Sequence, residues 1–246
     1  MSTLINIIEQ HLVDSDNVTF YYLKDGEQPF AKNYPTVVAD AKKLAAYLTS
    51  RFASQTRVLL IYPPGLDFIS SFLGCLYAGM IAVPAYPLQN PRHAYRLHNI
   101  IDSCEPGLLL GNQTVIDNLE QIESLSGVEK IATESLFASN DAHNFKVIAS
   151  INESMIAFLQ YTSGSTGKPK GVMVSHGNLM SNLSSLKAGW GLGAHKTSVL
   201  WLPFQHDLGL IGGVLSSLYN KNDLVLLPPV SVIEKPYRSI HPRRHS

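Results

Sequence analysis

Two short runs of this chain, Val58–Tyr62 and Met80–Ala85, are apolar at every position. A strand with one wet face alternates apolar and polar residues, so an unbroken run fits a strand covered on both faces. Between them, Leu66–Ala78 has helical length and carries one charge, Asp67. Strand, helix, strand is the unit from which parallel sheets are built, because a parallel neighbour needs a long crossover. The alternation recurs along the chain. Thr19–Leu23 reads as a strand, and Thr36–Phe52 as a helix with Val37, Val38, Ala41, Leu44, Ala45 and Leu48 on one stripe. His93–Cys104, Val115–Leu125, Gly177–Ala188 and Leu208–Leu218 read as helices. Leu108–Leu110, Val128–Ala132, Val199–Leu202 and Leu224–Leu227 read as strands. Residues 133–154 are polar and weakly patterned, a surface connection. The expectation is an α/β fold with a largely parallel sheet.

Composition narrows the classes. Charged residues make up 15% of the chain, where about 25% is usual in a soluble domain. Much surface is therefore buried within the fold or against a further partner. Formal net charge is zero, so there is no electrostatic footprint for nucleic acid. Phe68–Pro91 has no charged side chain and is long enough to span a bilayer. Pro84 and Pro87 break it, and Ser70, Ser71, Gly74 and Gly79 dilute it, so it reads as buried core and not as a transmembrane segment. Asp, Glu and Lys punctuate the N-terminal stretch, and no signal peptide is read there. Cys75 and Cys104 lie in apolar stretches and read as reduced core thiols of a cytoplasmic protein. The nine histidines follow no metal-ligand spacing, and no protein metal site is read.

The segment Tyr161-Thr-Ser-Gly-Ser-Thr-Gly-Lys-Pro-Lys-Gly171 points to chemistry. Small and hydroxylated residues are followed by two lysines. Such a loop can turn backbone N–H groups, hydroxyls and an ammonium onto one anion, a nucleotide triphosphate being the obvious guest. It is not a Walker loop: counted from Gly164, the second glycine would fall at 169, where Pro169 stands, and a helix should follow. The flanks Met155–Gln160 and Gly171–Ser175 are strand-like instead, so the loop joins strand to strand. Pro169 and the hydrophobic flanks also argue against a flexible linker.

A second constellation is Trp201-Leu-Pro-Phe-Gln-His-Asp-Leu-Gly-Leu-Ile-Gly-Gly213. A strand ends at a proline turn, and His206-Asp207 precede a glycine-containing apolar helix. Open α/β sheets place ligands at strand C-terminal ends. Asp207 is suited to cap the helix, leaving His206 at the mouth of a site; a purely structural His–Asp pair is an equal reading.

Together the two segments resemble the AMP-forming acyl/aryl acid ligase superfamily, whose signature Thr162–Gly171 matches. The context Ile61–Phe68, Phe72–Gly79, Ala82–Tyr86 and His206–Ile211 looks most like fatty acyl-AMP ligases, and the resemblance runs from about Phe20 to Pro236. It implies the N-terminal domain portion of the adenylate-forming ligase fold, with layered sheets and flanking helices. It also implies a reaction. A carboxylate attacks the α-phosphate of ATP to give acyl-AMP and pyrophosphate, and the acyl group then passes to a thiol. By resemblance Thr162, Ser163, Ser165, Thr166 and Lys170, with the backbone of Gly164 and Gly167, hold the β- and γ-phosphates, and Mg²⁺ shares their charge. Lys168 falls at a variable position. His206 would lie beside the reacting carboxylate, with Phe204 or Gln205 shaping the acyl entrance. Many relatives have an aromatic residue directly before this histidine; here it is Gln205, which leaves that gating role open.

The resemblance also shows what these residues lack. The family's Tyr-Gly-x-Thr-Glu segment, its ribose-binding aspartate, its hinge and the C-terminal domain with the bridging lysine have no counterpart here. Residues 1–236 read as a partial AMP-binding domain and 237–246 as an irregular, basic tail of a truncated chain. The wording of His206–Ile211 favours transfer to an acyl carrier protein over CoA. A long-chain fatty acid CoA ligase and a non-catalytic remnant stand as alternatives.

Overall fold

A computed structural model describes residues 2–14, 18–24, 29–88, 91–139, 151–163 and 169–234. The predicted tail, 237–246, lies outside the described residues. In chain order the first elements are α1 (Leu4–His11), β1 (Thr19–Leu23), β2 (Pro29–Asn33), α2 (Tyr34–Arg51), β3 (Arg57–Ile61), α3 (Leu66–Tyr77) and β4 (Ile81–Ala85). Next come α4 (Pro91–Cys104), β5 (Leu108–Gly111), α5 (Gln113–Leu119), β6 (Glu129–Ala132), α6 (Glu134–Ala138), β7 (Ile156–Ser163) and β8 (Pro169–Ser175). The last are α7 (His176–Trp190), β9 (Thr197–Leu200), α8 (Ser216–Asn220), β10 (Asp223–Leu226) and α9 (Pro229–Glu234). They form two compact units, each with its own sheet.

One unit comprises Val38–Pro63 and Asp67–His176. Its sheet runs β6-β5-β3-β4-β7-β8, parallel throughout except for the antiparallel pair β7–β8. β3 sits between β5 and β4, with Leu59 opposite Leu109 on one side and Val83 on the other. That central place explains its unbroken apolar run: Val58, Leu59, Leu60 and Ile61 are all fully buried. Leu59 and Ile61 join a cluster with Leu97, Ile100, Ile101 and Cys104 of α4, and alternation sends Val58 and Leu60 to the opposite face. Each such side chain contributes roughly 1.5–3 kcal/mol by leaving water. α3 sets Phe72 edge-on to Phe158 of β7, ring centroids 5.6 Å apart. Both cysteines are buried thiols, and burial pushes Cys104 up to about 12.

The other unit comprises Met1–Val37, Pro64–Leu66 and Gly177–Ser246. Its sheet runs β2-β1-β10-β9. β10 is parallel to both β1 and β9, while β2 is antiparallel to β1. Leu23, Val225, Leu227 and Val232 make a core cluster. The Asp223 carboxylate accepts from the Thr19 N–H at 3.0 Å and so ties the start of β1 to β10. α1 starts at a reciprocal cap: Thr3 Oγ1 accepts from the Asn6 N–H at 3.4 Å, and Asn6 Oδ1 from the Thr3 N–H at 2.9 Å.

The α/β alternation and the layered sheets are as expected: the strands fall into two sheets, each with one antiparallel pair among the described residues. The predicted helix Val115–Leu125 stops at Leu119 and resumes as a 3₁₀ turn at Glu123–Leu125. Leu119, Ile122 and Leu125 recur every third residue, which a 3₁₀ turn satisfies as well as an α-helix. The predicted helix Leu208–Leu218 is π-helical over Leu208–Leu215 and α-helical only from Ser216.

Candidate functional site

β7 delivers Tyr161, Thr162 and Ser163 to the loop, and β8 carries Pro169, Lys170 and Gly171 away. The pair is in register to its last rung, Thr162 opposite Lys170 and Ser163 opposite Pro169. Thr162 and Lys170 are exposed. Of the predicted phosphate-binding residues, Thr162, Ser163 and Lys170 are therefore brought together by strand pairing. Gly164, Ser165, Thr166 and Gly167 lie outside the described residues. β7 is parallel to β4, so the loop leaves the sheet at its C-terminal edge, where open α/β sheets put ligands.

The residue before the loop is clamped. The Tyr161 phenol donates to Ser103 Oγ on α4 at 2.8 Å. Its carbonyl accepts from Arg96 Nη2, also on α4, at 3.0 Å. Its ring lies across from Gly171, where an added Cβ would stand 2.9 Å from Tyr161 Cζ. A side chain there would have to push the ring aside, and the ring covers the backbone that glycine leaves bare. Burial, the largest cause, raises the Tyr161 pKa, so the phenol remains a donor at neutral pH. At the same edge of the sheet, the buried Tyr62 hydroxyl shares a hydrogen bond with Thr133 Oγ1 at 3.0 Å and accepts from Ser71 Oγ at 2.8 Å. Arg96, Ser103 and Gly171's steric role are not visible from the loop's own sequence; the register of the hairpin is the signal that leads to Gly171.

His206 belongs to the other unit. β9 ends at Leu200, and the chain turns through Pro203 with the His206 N–H donating to Pro203 O at 3.1 Å. Asp207 Oδ1 accepts from the Leu208 N–H at 2.8 Å, the cap expected of it. The Leu210 N–H donates to His206 O at 2.8 Å, so the histidine stands at the first turn of the π-helical segment. The turn depends on Gly209, where an added Cβ would stand 2.2 Å from Pro203 O. His206 and Asp207 are exposed; Phe204 and Gln205 are buried.

A hydroxyl-rich, lysine-bearing sequence between two strands at the C-terminal edge of an α/β sheet suggests the class, and the sequence profile of the AMP-binding enzyme family matches residues 13–241. The chain belongs to that family. It is 30% identical to the medium-chain-fatty-acid–[acyl-carrier-protein] ligase JamA of Moorena producens, over 96% of this chain and 41% of that protein. The crystal structure of the fatty acid AMP ligase from Legionella pneumophila superposes with a TM-score of 0.87 at 35% identity, covering 95% of this chain and 41% of the other. A fatty acyl-adenylate ligase from L. pneumophila, in complex with acyl adenylate and pyrophosphate, gives 0.86 at 34% identity over 95% of this chain and 41% of its own. The chain thus spans about two fifths of the length of these relatives.

Proposed function

We propose that this chain forms the pyrophosphate-holding part of an enzyme that activates a fatty acid with ATP for transfer to a carrier-protein thiol. The observation that carries the reading is the clamped end of β7, Tyr161–Ser163, paired with Pro169–Gly171 of β8 at the sheet's C-terminal edge. Its support is the likeness to a ligase solved with acyl adenylate and pyrophosphate. In the reaction a carboxylate oxygen bonds to the α-phosphorus as the bond to pyrophosphate breaks. What the chain must do is collect the leaving group's charge in a fixed geometry. The hydroxyls of Thr162, Ser163, Ser165 and Thr166, the N–H groups of Gly164 and Gly167, and the Lys170 ammonium are donors of the right kind, and none is a carboxylate that would repel the anion. A Mg²⁺ ion bound with the phosphates would supply further neutralisation of their charge beside Lys170. His206 takes the acid-side role that the resemblance gives it. Buried, protonated thiols suit a reducing cytoplasmic setting, and no described helix is long and apolar enough to cross a membrane.

The direct test is calorimetric titration of the chain with inorganic pyrophosphate. Binding is expected, and Lys170→Ala should weaken it roughly tenfold or more, the scale of one lost charge-assisted contact. Equal affinity of the two proteins would overturn the reading. ATP–pyrophosphate exchange with and without dodecanoic acid tests the chemistry. These residues alone should exchange little, because the family's adenine and ribose contacts and its bridging lysine are not among them. Strong, acid-dependent exchange abolished by Lys170→Ala would show them sufficient for adenylation.

A further inference from the structure

The guanidinium of Arg96 is held by two groups. Nη2 donates to Tyr161 O at 3.0 Å, and Cζ lies 5.7 Å from the centroid of the Tyr86 ring. That ring is in turn stacked on His93, 5.1 Å away at 22°. Nε is buried with no hydrogen-bond partner among the described residues. Ser103, two helical turns further along α4, takes the Tyr161 phenol. One helix thus holds both ends of the residue that precedes Thr162. On its β4 side β7 pairs at Ala82–Phe158, with Tyr161 further along the strand, while on its other side β8 pairs it through Ser163.

We propose that Arg96 is a positioning residue for the phosphate loop. It pins the end of β7 through the Tyr161 carbonyl and places a guanidinium one residue ahead of Thr162. The inference rests on the pyrophosphate reading above. The planar fork of arginine lies against an aromatic ring in a way that lysine cannot reproduce. Fixing the strand end before the anion arrives removes an ordering cost from binding, so the effect is read in affinity more than in stability. A loop whose donors must converge on one group is sensitive to where its first residue sits.

The test combines pyrophosphate titration with amide hydrogen exchange on the full chain, comparing wild type with Arg96→Ala and Arg96→Lys. Arg96→Ala should weaken pyrophosphate binding about fivefold to tenfold, less than the loss of a charged group that contacts the anion itself. It should also speed exchange at Tyr161–Ser163 while amides of β3 stay protected. Arg96→Lys should recover part of the affinity through its charge; should the alanine variant fail to fold, this comparison decides alone. Wild-type affinity and wild-type exchange at Tyr161–Ser163 in both variants would overturn the proposal. A wild-type chain that binds no pyrophosphate would instead overturn the reading of the loop, an outcome distinct from binding that ignores Arg96.

Discussion

Tyr161 is constrained at its phenol, its ring and its carbonyl, each by a different residue. That makes Gly171 testable. A methyl at 171 would meet Tyr161 Cζ at 2.9 Å, and the ring cannot swing aside while Ser103 holds its hydroxyl. Gly171→Ala should therefore lower stability by about 1–3 kcal/mol, the usual cost of overpacking, seen as a lower urea midpoint at unchanged slope. In a Ser103→Ala background the ring is released at one end and the same substitution should cost less, a coupling that a double-mutant cycle measures. The sequence displays Tyr161 as the one large residue among small ones, but not its holders. Ser103 and Arg96 lie 58 and 65 positions earlier, and no local pattern marks a hydrogen bond across that distance.

Among the elements, β3 and β4 are legible because both faces are covered and nothing polar interrupts them. α1 and β2 are not. α1 opens on a Thr3–Asn6 cap where the usual reciprocal partner is Glu or Gln, and β2, Pro-Phe-Ala-Lys-Asn, is an edge strand whose Phe30 is exposed. The π-helical segment is hidden for another reason: an apolar run of this length does not distinguish a π from an α turn, and the close approach of Gly209 to Pro203 at its start is not written in that pattern. Gly209→Ala places a methyl where only 2.2 Å is available, against backbone rather than a flexible side chain. The turn must open, at a cost of roughly 2 kcal/mol or more, and hydrogen exchange at residues 204–212 should rise. Leu59→Ala, in the middle of β3, should cost about 2–5 kcal/mol as a core cavity, with thermal unfolding as the readout.

The division of the strands into two sheets belongs to the whole chain, and local pattern does not contain it. β1 reaches a parallel partner 204 positions away, as the Thr19–Asp223 hydrogen bond records. Stability against pH is a property of the same scale, and His176 is its clearest candidate group. This imidazole is 1% exposed, and neither ring nitrogen has a hydrogen-bond partner among the described residues. Burial alone lowers its pKa from 6.5 to about 4. The folded chain then binds a proton less readily than the unfolded one. Its stability is undiminished above pH 6.5, falls as the pH drops, and the loss is complete once the pH has passed through about 4. The full loss from this group is about 3 kcal/mol, at 1.36 kcal/mol for each pKa unit. His11 is shifted in the same direction, mainly by burial, and adds to the trend. Asp14, whose pKa is lowered first by its hydrogen bond to Lys221, acts only below the ordinary carboxylate range and so outside this window. Urea unfolding at pH 7.5, 6.0 and 4.5 should show a falling midpoint in the wild type. His176→Gln, which cannot titrate, should flatten most of that slope while costing some stability at pH 7.5. An unchanged slope in the variant would assign the acid sensitivity to other groups.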